Sequence, residues 1–298
     1  MKMAEISLIE WQKKYGTEEN CAAELAKVRW PDGYYCPKCG HEKASYISTR
    51  HLYQCCRCRY QVSVTAGTIF HASKVPLVKW FWAIYLTASD KGGISALRLS
   101  KQIQVSWITA YRMLTKIRTV MAHRDSIYRL NNFIELDDAY VGGKKPGKRG
   151  RGASGKKPIL VAVENIPGKY TGFAAMQAVD TISHKTVEEF LKKKLVPSQK
   201  VRTDALPALT VIGKDHEHES KVTPPEKAGK WLPMVHIIIG NMKAFINGTF
   251  HGVSGKYLQS YLDEFCYRFN RRFWEPELPL RLLNACLAHT PAKVADLC

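Results

Sequence analysis

The sequence predicts a multidomain α+β chain: a small cysteine-rich module, a basic helical segment, and then a larger α/β domain. Three observations carry this. Two cysteine pairs crowd together near the N-terminus, helical periodicity follows them, and from about residue 131 the pattern changes to strands. At 298 residues the chain has room for about two ordinary domains, and its 45% hydrophobic content allows a sizeable core. Its charge is unusual. Lys and Arg number 45 against 26 Asp and Glu, for a formal net charge of +19 and a sequence pI near 9.5. Such a surplus repels itself unless a polyanion neutralises it, so DNA or RNA is the expected partner. An anionic membrane surface is the rival. The sequence has no apolar run of membrane-spanning length, and its opening, with Glu5 and Glu10 among the apolar residues, is not a signal peptide. The expected compartment is cytoplasmic, with no membrane partner.

Residues 36–58 read CPKCGHEKASYISTRHLYQCCRC. The pairs Cys36/Cys39 and Cys55/Cys58 each have two residues between them and stand 15 residues apart. Four thiolates in two such knuckles close a tetrahedron around a structural Zn²⁺, a zinc ribbon. Gly40 supplies the turn after the first knuckle, and residues 46–53 alternate as a short hairpin does. Cys56 breaks the spacing and reads as a bystander. Cys21, Cys266, Cys286 and Cys298 stand singly and read as small buried hydrophobes. A ribbon alone does not establish nucleic-acid binding.

Next, Lys79 to Ser89 is apolar nearly all round and predicts a buried helix, while Ser95 to Ile103 predicts a short amphipathic one. A turn at Gln104 and Val105 leads to Ser106, a plausible N-cap for a helix through Arg118. Two helices joined by a short turn match a helix-turn-helix. Its second helix, bearing Thr109, Tyr111, Arg112, Lys116 and Arg118, would then enter a major groove. The plainer reading is a helical hairpin with a solvated basic face.

Phe133–Val141, Ile159–Glu164 and Tyr170–Val179 predict three strands, Ser183–Leu195 a helix and Lys200–Asp204 a fourth strand. This is the opening order of a ribonuclease-H-like fold. Between the first two strands, KKPGKRGRGASGKK packs seven Lys or Arg and four Gly into fourteen residues. Lys144, Lys145, Lys148, Arg149 and Arg151 there are candidate contacts to a DNA backbone. Asp137 lies inside a strand and Asp204 at the end of another, and a charge in an apolar strand is costly unless paired or metal-bound. Strand alternation sends Asp137 and Asp138 to opposite faces, so only one is expected to enter a given site. Two carboxylates from neighbouring strands suit Mg²⁺ or Mn²⁺. Capping or salt bridging explains them equally well.

Four segments bear a resemblance: ELDDAYVGG (135–143), RTDALPA (202–208), WLPMVHIIIGNMKAF (231–245) and GTFHGVSGKYLQSYLDEFCYRFNRR (248–272). They are similar to insertion-sequence transposases of the ISXO-like group. That group places a zinc ribbon before a DDE-type catalytic domain of ribonuclease-H fold. The resemblance runs from about Glu10 to Arg272. Its motif E-x-D-E-x-Y-V-G-G implies Asp137 as the first catalytic carboxylate. Its T-D-G motif implies Asp204 as the second, with Ala205 replacing the usual Gly. The third position departs from DDE, since no Glu lies between Trp231 and Phe250. Relatives with His or Asn there leave His236 and Asn241 as candidates. His236 is preferred, because Lys243 follows seven residues later on the same helical face, the spacing of the family's phosphate-contacting basic residue. An imidazole can also ligate Mn²⁺ or Mg²⁺ or relay a proton. Arg271 and Arg272 stand as a possible phosphate clamp, or as partners in helix-face salt bridges.

The resemblance implies a DNA transposase that binds the element's terminal inverted repeats, cleaves with metal assistance and transfers the strand to target DNA. It would work as a homo-oligomer on DNA in a prokaryotic cytoplasm, nucleoid-associated when bound. The alternatives are a non-catalytic zinc-ribbon regulator derived from a transposase and a metal-dependent nuclease without strand transfer. The expected domains are 1–70 (N-terminal helix and ribbon), 71–128 (helical, helix-turn-helix-like) and 129–298 (catalytic).

Overall fold

The structure, a computed structural model, describes residues 5–142, 156–166, 170–224 and 229–289. The chain divides into two compact units, Met1–Val120 with Trp274–Cys298, and Met121–Phe273. The described residues from Trp274 to His289, expected with the catalytic domain, cluster with the N-terminal unit. Periodicity alone could not reveal this, because an amphipathic helix does not say which core it covers.

In the first unit, α1 (Leu8–Tyr15) opens with a capping box between Ser7 and Glu10 and buries Trp11 and Tyr15. Both rings pack on Phe81 of α3 (Leu77–Ser89), with Tyr15 5.1 Å from it between centroids. Between them runs α2 (Glu18–Arg29), capped by Thr17. The start of α3 has no local side-chain cap. Instead the Glu18 carboxylate accepts the backbone N–H groups of Leu77 and Val78 at 2.7 and 3.1 Å. The ribbon is a three-stranded antiparallel sheet of β1 (Ala44–Ile47), β2 (Leu52–Cys55) and β3 (Gln61–Ser63). After α3 come α4 (Ala96–Ile103) and α5 (Trp107–Ser126), joined by Gln104, Val105 and Ser106. Gln104 takes the left-handed conformation that ends α4, and the Ser106 hydroxyl accepts the Thr109 N–H at 3.2 Å. The unit is completed by the last described helix, Leu278–Ala288, which packs on α3 and α2.

The second unit is a five-stranded sheet in the order β6-β5-β4-β7-β8. β4 (Phe133–Val141), β5 (Lys157–Ile166) and β6 (Tyr170–Ala178) run antiparallel in succession. Then α6 (His184–Lys194) crosses over, and β7 (Lys200–Asp204) returns parallel beside β4. β8 (Glu217–Lys221), which the sequence did not suggest, adds a parallel edge. This is the ribonuclease-H-like order expected from the sequence. One face, with Val161 and Met176, packs on α7 (Pro233–Phe250) and α8 (Leu258–Phe269) through Val235, Met242 and Leu262. The other, with Ile134, Leu136 and Leu160, packs on α6 through Val187 and Phe190. Each such fully buried side chain stabilises the fold by about 1.5–3 kcal/mol. No described helix is long and apolar enough to cross a membrane.

Candidate metal centre and active site

The four ribbon cysteines converge. One sulfur from each lies within 4.8 Å of the others, with Cys36 to Cys58 at 3.7 Å and Cys39 to Cys55 at 3.6 Å. Zinc–sulfur bonds of about 2.3 Å at tetrahedral angles put sulfurs about 3.8 Å apart, so the set fits zinc. The two knuckles share a geometry: Gly40 and Arg59, each four residues after its first cysteine, both have positive φ, +73° and +59°. Their N–H groups return to the carbonyls of Cys36 and Cys55. Burial pushes the Cys36 thiol up, but the backbone amides of Lys38 and Cys39 together with the Cys39 and Cys58 thiols outweigh it and bring it down to about 6. Cys39, lowered by the His41 backbone amide, is pushed up to about 12 by hydrogen bonds to the neighbouring sulfurs. Thiolate is the form zinc binds. Cys56 is exposed and outside the tetrahedron, while Cys21, Cys266 and Cys286 are buried. Cys298 lies outside the described residues.

A second cluster forms at the carboxyl end of the parallel strands. β4 pairs with β7 as Phe133 with Lys200, Ile134 with Val201 and Glu135 with Arg202. Pairing stops there, yet the register carries Asp137 level with Asp204. Beyond Glu135 the two strands part, and a crevice opens at the end of a parallel pair, where α/β sheets place their ligands. Asp137 is 8% exposed. Oxygens of Asp137, Asp138 and Asp204 lie within 4.8 Å of one another. The expectation that alternation admits only one of Asp137 and Asp138 is therefore corrected. Alternation still sends the two Cβ atoms to opposite faces, but past Glu135 no strand is paired along this edge of β4, and the Asp138 carboxylate reaches round it. Backbone amides steer two of the three: Asp138 N–H donates to Asp137 Oδ1 at 2.8 Å, and Leu206 N–H to Asp204 Oδ1 at 3.2 Å.

Across the crevice stands α7. His236 Nε2 lies 3.8 Å from Asp137 Oδ2. His236 and Lys243, with Trp231, Leu232 and Ile239, line a cleft of about 460 Å³ together with the three aspartates and Lys156. Asn241 is exposed and not among the lining residues; five residues on from His236, it points elsewhere. Trp231 is fixed at the rim by its indole N–H, which donates to the Thr203 carbonyl at 2.8 Å, and by the Arg202 guanidinium 4.4 Å from its ring. The carboxylate oxygens are spread by an amount that a hard cation bonded at about 2.1 Å can draw in.

Glu135, two residues before Asp137 on the same face, was passed over in the sequence. Its buried carboxylate accepts the N–H groups of Met234 and Val235 at 2.8 and 2.9 Å, and the Asn165 amide at 2.7 Å. The available signal was a Glu inside an apolar strand, matched by a helix start, Leu232-Pro233, with no capping side chain.

Three of the expected DNA contacts are spent on protein partners. Lys116 donates to the Ile69 carbonyl at 2.8 Å beside the Trp80 ring, and burial lowers its pKa. Arg271 is buried on Asp125 at 2.6 Å and lies 3.8 Å from the Tyr267 ring. Arg272 donates to the carbonyls of Thr171, Gly172 and Phe269 and stacks on Phe269. Long basic side chains bury their stems and satisfy nearby carbonyls as readily as they reach outward. Arg112 is exposed on α5, and Thr109, half-buried, shares its hydroxyl with Ser106. The same turn exposes Trp107 and Ile108, which the sequence reading missed. Lys144, Lys145, Lys148, Arg149 and Arg151 lie outside the described residues.

Residues 129–270 match the ISXO2-like transposase domain, and residues 16–61 match the transposase zinc-ribbon domain. The chain is thus similar to the ISXO2-like transposases over these two segments. Both metal-type clusters fall inside the matched segments. The chain is also 28% identical, over 222 residues, to an uncharacterized protein in transposable element ISH50 of Halobacterium salinarum, covering 68% of this chain and 72% of that one. Among solved structures, it is similar to the Mos1 transposase paired-end complex with left transposon end at 12% identity, covering 70% and 77% of the two chains with a TM-score of 0.28. The Mos1 strand transfer complex matches at 13% identity, 72% and 78% coverage and a TM-score of 0.29.

Proposed function

We propose that this insertion-sequence transposase binds the terminal inverted repeats of its element, cleaves DNA at the ends and joins the freed strand to target DNA. The observation that carries this is the convergence of Asp137, Asp138 and Asp204 opposite His236 and Lys243 at the parting of two parallel strands. The three aspartates are the ligands for Mg²⁺ or Mn²⁺. Bound there, such a cation supplies Lewis-acid polarisation of a phosphodiester and a nucleophile at neutral pH. His236 takes the third position of the DDE arrangement in preference to Asn241. Its imidazole is placed beside the Asp137 carboxylate to hold or move a proton at Nε2 or to complete a ligand set. Lys243, two turns on, offers its ammonium to a DNA phosphate, as does Lys156, which lines the same cleft. Zn²⁺ in the ribbon is structural. Arg112 and Thr109 on α5 are the candidate groove contacts, and the 144–151 basic run is a backbone contact. Acting on two ends requires two copies on DNA, in a cytoplasmic, nucleoid-associated setting.

A strand-transfer assay with pre-cut terminal repeats and Mg²⁺ or Mn²⁺ tests the reading. Joined products are expected. Nicking without joining would leave a nuclease, and binding without cleavage a regulator.

A further inference from the structure

Burying a carboxylate is costly unless donors replace its water, and Glu135 has no exposed surface. What replaces the water is specific. In α7, Leu232 is the N-cap residue and offers no capping side chain, and Pro233 at N1 has no N–H to satisfy. The next two amides, Met234 and Val235, both donate to Glu135 Oε2, and the His236 N–H returns to the Leu232 carbonyl at 3.3 Å. Glu135 thus does from β4 what an N-cap side chain does locally, and its charge opposes the positive end of the helix. From the other side, Asn165 of β5 holds Oε1. The residue after the two capped amides is His236. A side chain there leans back toward the helix N-terminus, over the turn that Glu135 grips and toward Asp137.

We propose that Glu135 is a positioning residue for the reaction: by capping α7 from the strand that carries Asp137, it fixes where the His236 imidazole stands against the carboxylates. The inference rests on the catalytic reading of that site given above. Glu18 offers an internal comparison, since it caps α3 in the same way within the N-terminal unit.

The test is a double-mutant cycle in the full-length protein, read as cleavage of a duplex carrying the element's terminal repeat. Glu135→Asp keeps the charge but withdraws it by one methylene. A displacement of that order costs about a hundredfold in turnover when it misplaces a reacting group. DNA affinity should stay within about twofold, since no DNA contact is removed. In a His236→Ala background the same change should cost almost nothing more, because the group it positions is gone. Glu135→Gln, whose amide oxygen can still accept both backbone N–H groups, should keep at least about a third of wild-type activity. Glu18→Asp should lower the melting temperature without entering the cycle, its loss adding independently to that of His236→Ala. Additive losses for Glu135→Asp and His236→Ala overturn the inference, as does a Glu135→Gln protein that melts normally yet is as slow as Glu135→Asp. A fully active Glu135→Asp beside an inactive Asp137→Ala overturns this inference alone. A fully active Asp137→Ala overturns the site reading and the inference with it.

Discussion

The four cysteines and the three aspartates are both ligand sets, assembled over very different lengths of chain. Only Cys55 lies in a strand, the others sit in or beside adjoining turns, and the four sulfurs come from 23 consecutive residues. Nearly a hundred residues separate Asp137 from His236, and two strands, a crossover helix and a parallel pairing bring them together. The sulfurs form a closed tetrahedron, which suits a cation that holds a shape. The carboxylates sit in an open cleft with exposed Lys243 on its wall, which suits one that exchanges ligands with a substrate. A local site makes its own geometry, whereas a dispersed one borrows it from the fold.

The sharpest way to break this contrast is at the dispersed site. Asp137→Ala and Asp204→Ala should each lower cleavage by roughly a thousandfold or more while leaving DNA affinity near wild type, measured by gel assay and titration. Retained cleavage in either would remove that carboxylate from the site. His236→Ala should be far more damaging than Asn241→Ala, and the reverse order would return the third position to Asn241. Next in size is the local site. Cys36→Ser should take bound zinc from about one per chain to near none and unfold the ribbon, read by metal analysis and circular dichroism. A folded, metal-free ribbon would show that the thiol tetrahedron is not a zinc site. Smaller again is Arg271→Ala. It removes a 2.6 Å ion pair from half-buried Asp125, which keeps the Asn270 amide, so it should cost about 1.5–3 kcal/mol of stability in denaturant melts and change DNA affinity little. Arg112→Ala should do the opposite, weakening terminal-repeat binding by about 1–3 kcal/mol with little loss of stability.

The two sites were also unequally legible. The ribbon could be read from spacing alone, because the ligands and the turns that aim them are neighbours in sequence. The strands carrying Asp137 and Asp204 were legible from their apolar runs, and the parallel pairing that levels them followed from element order. Three things were not. That Asp138 joins Asp137 depends on where β7 leaves β4, which alternation does not encode. That Lys116 and Arg271 turn inward depends on a carbonyl of Ile69 and a carboxylate of Asp125, 47 and 146 residues away. Charge in a sequence has a sign but no direction. Glu135 was missed because its partners are backbone amides, to which every residue but proline contributes alike.

The return of Leu278–Ala288 to the N-terminal unit has a consequence in time. A ribosome releases the ribbon and α1 to α5 first, yet the face of α3 that this last helix covers stays open until about 150 further residues have emerged. At synthesis rates of roughly 5–20 residues per second that interval is on the order of ten seconds or more, long enough for the intervening sheet to fold first. A stop codon shortly after Phe273 is therefore expected to spare the sheet around the carboxylates while uncovering the face of α3 on which Leu278–Ala288 packs.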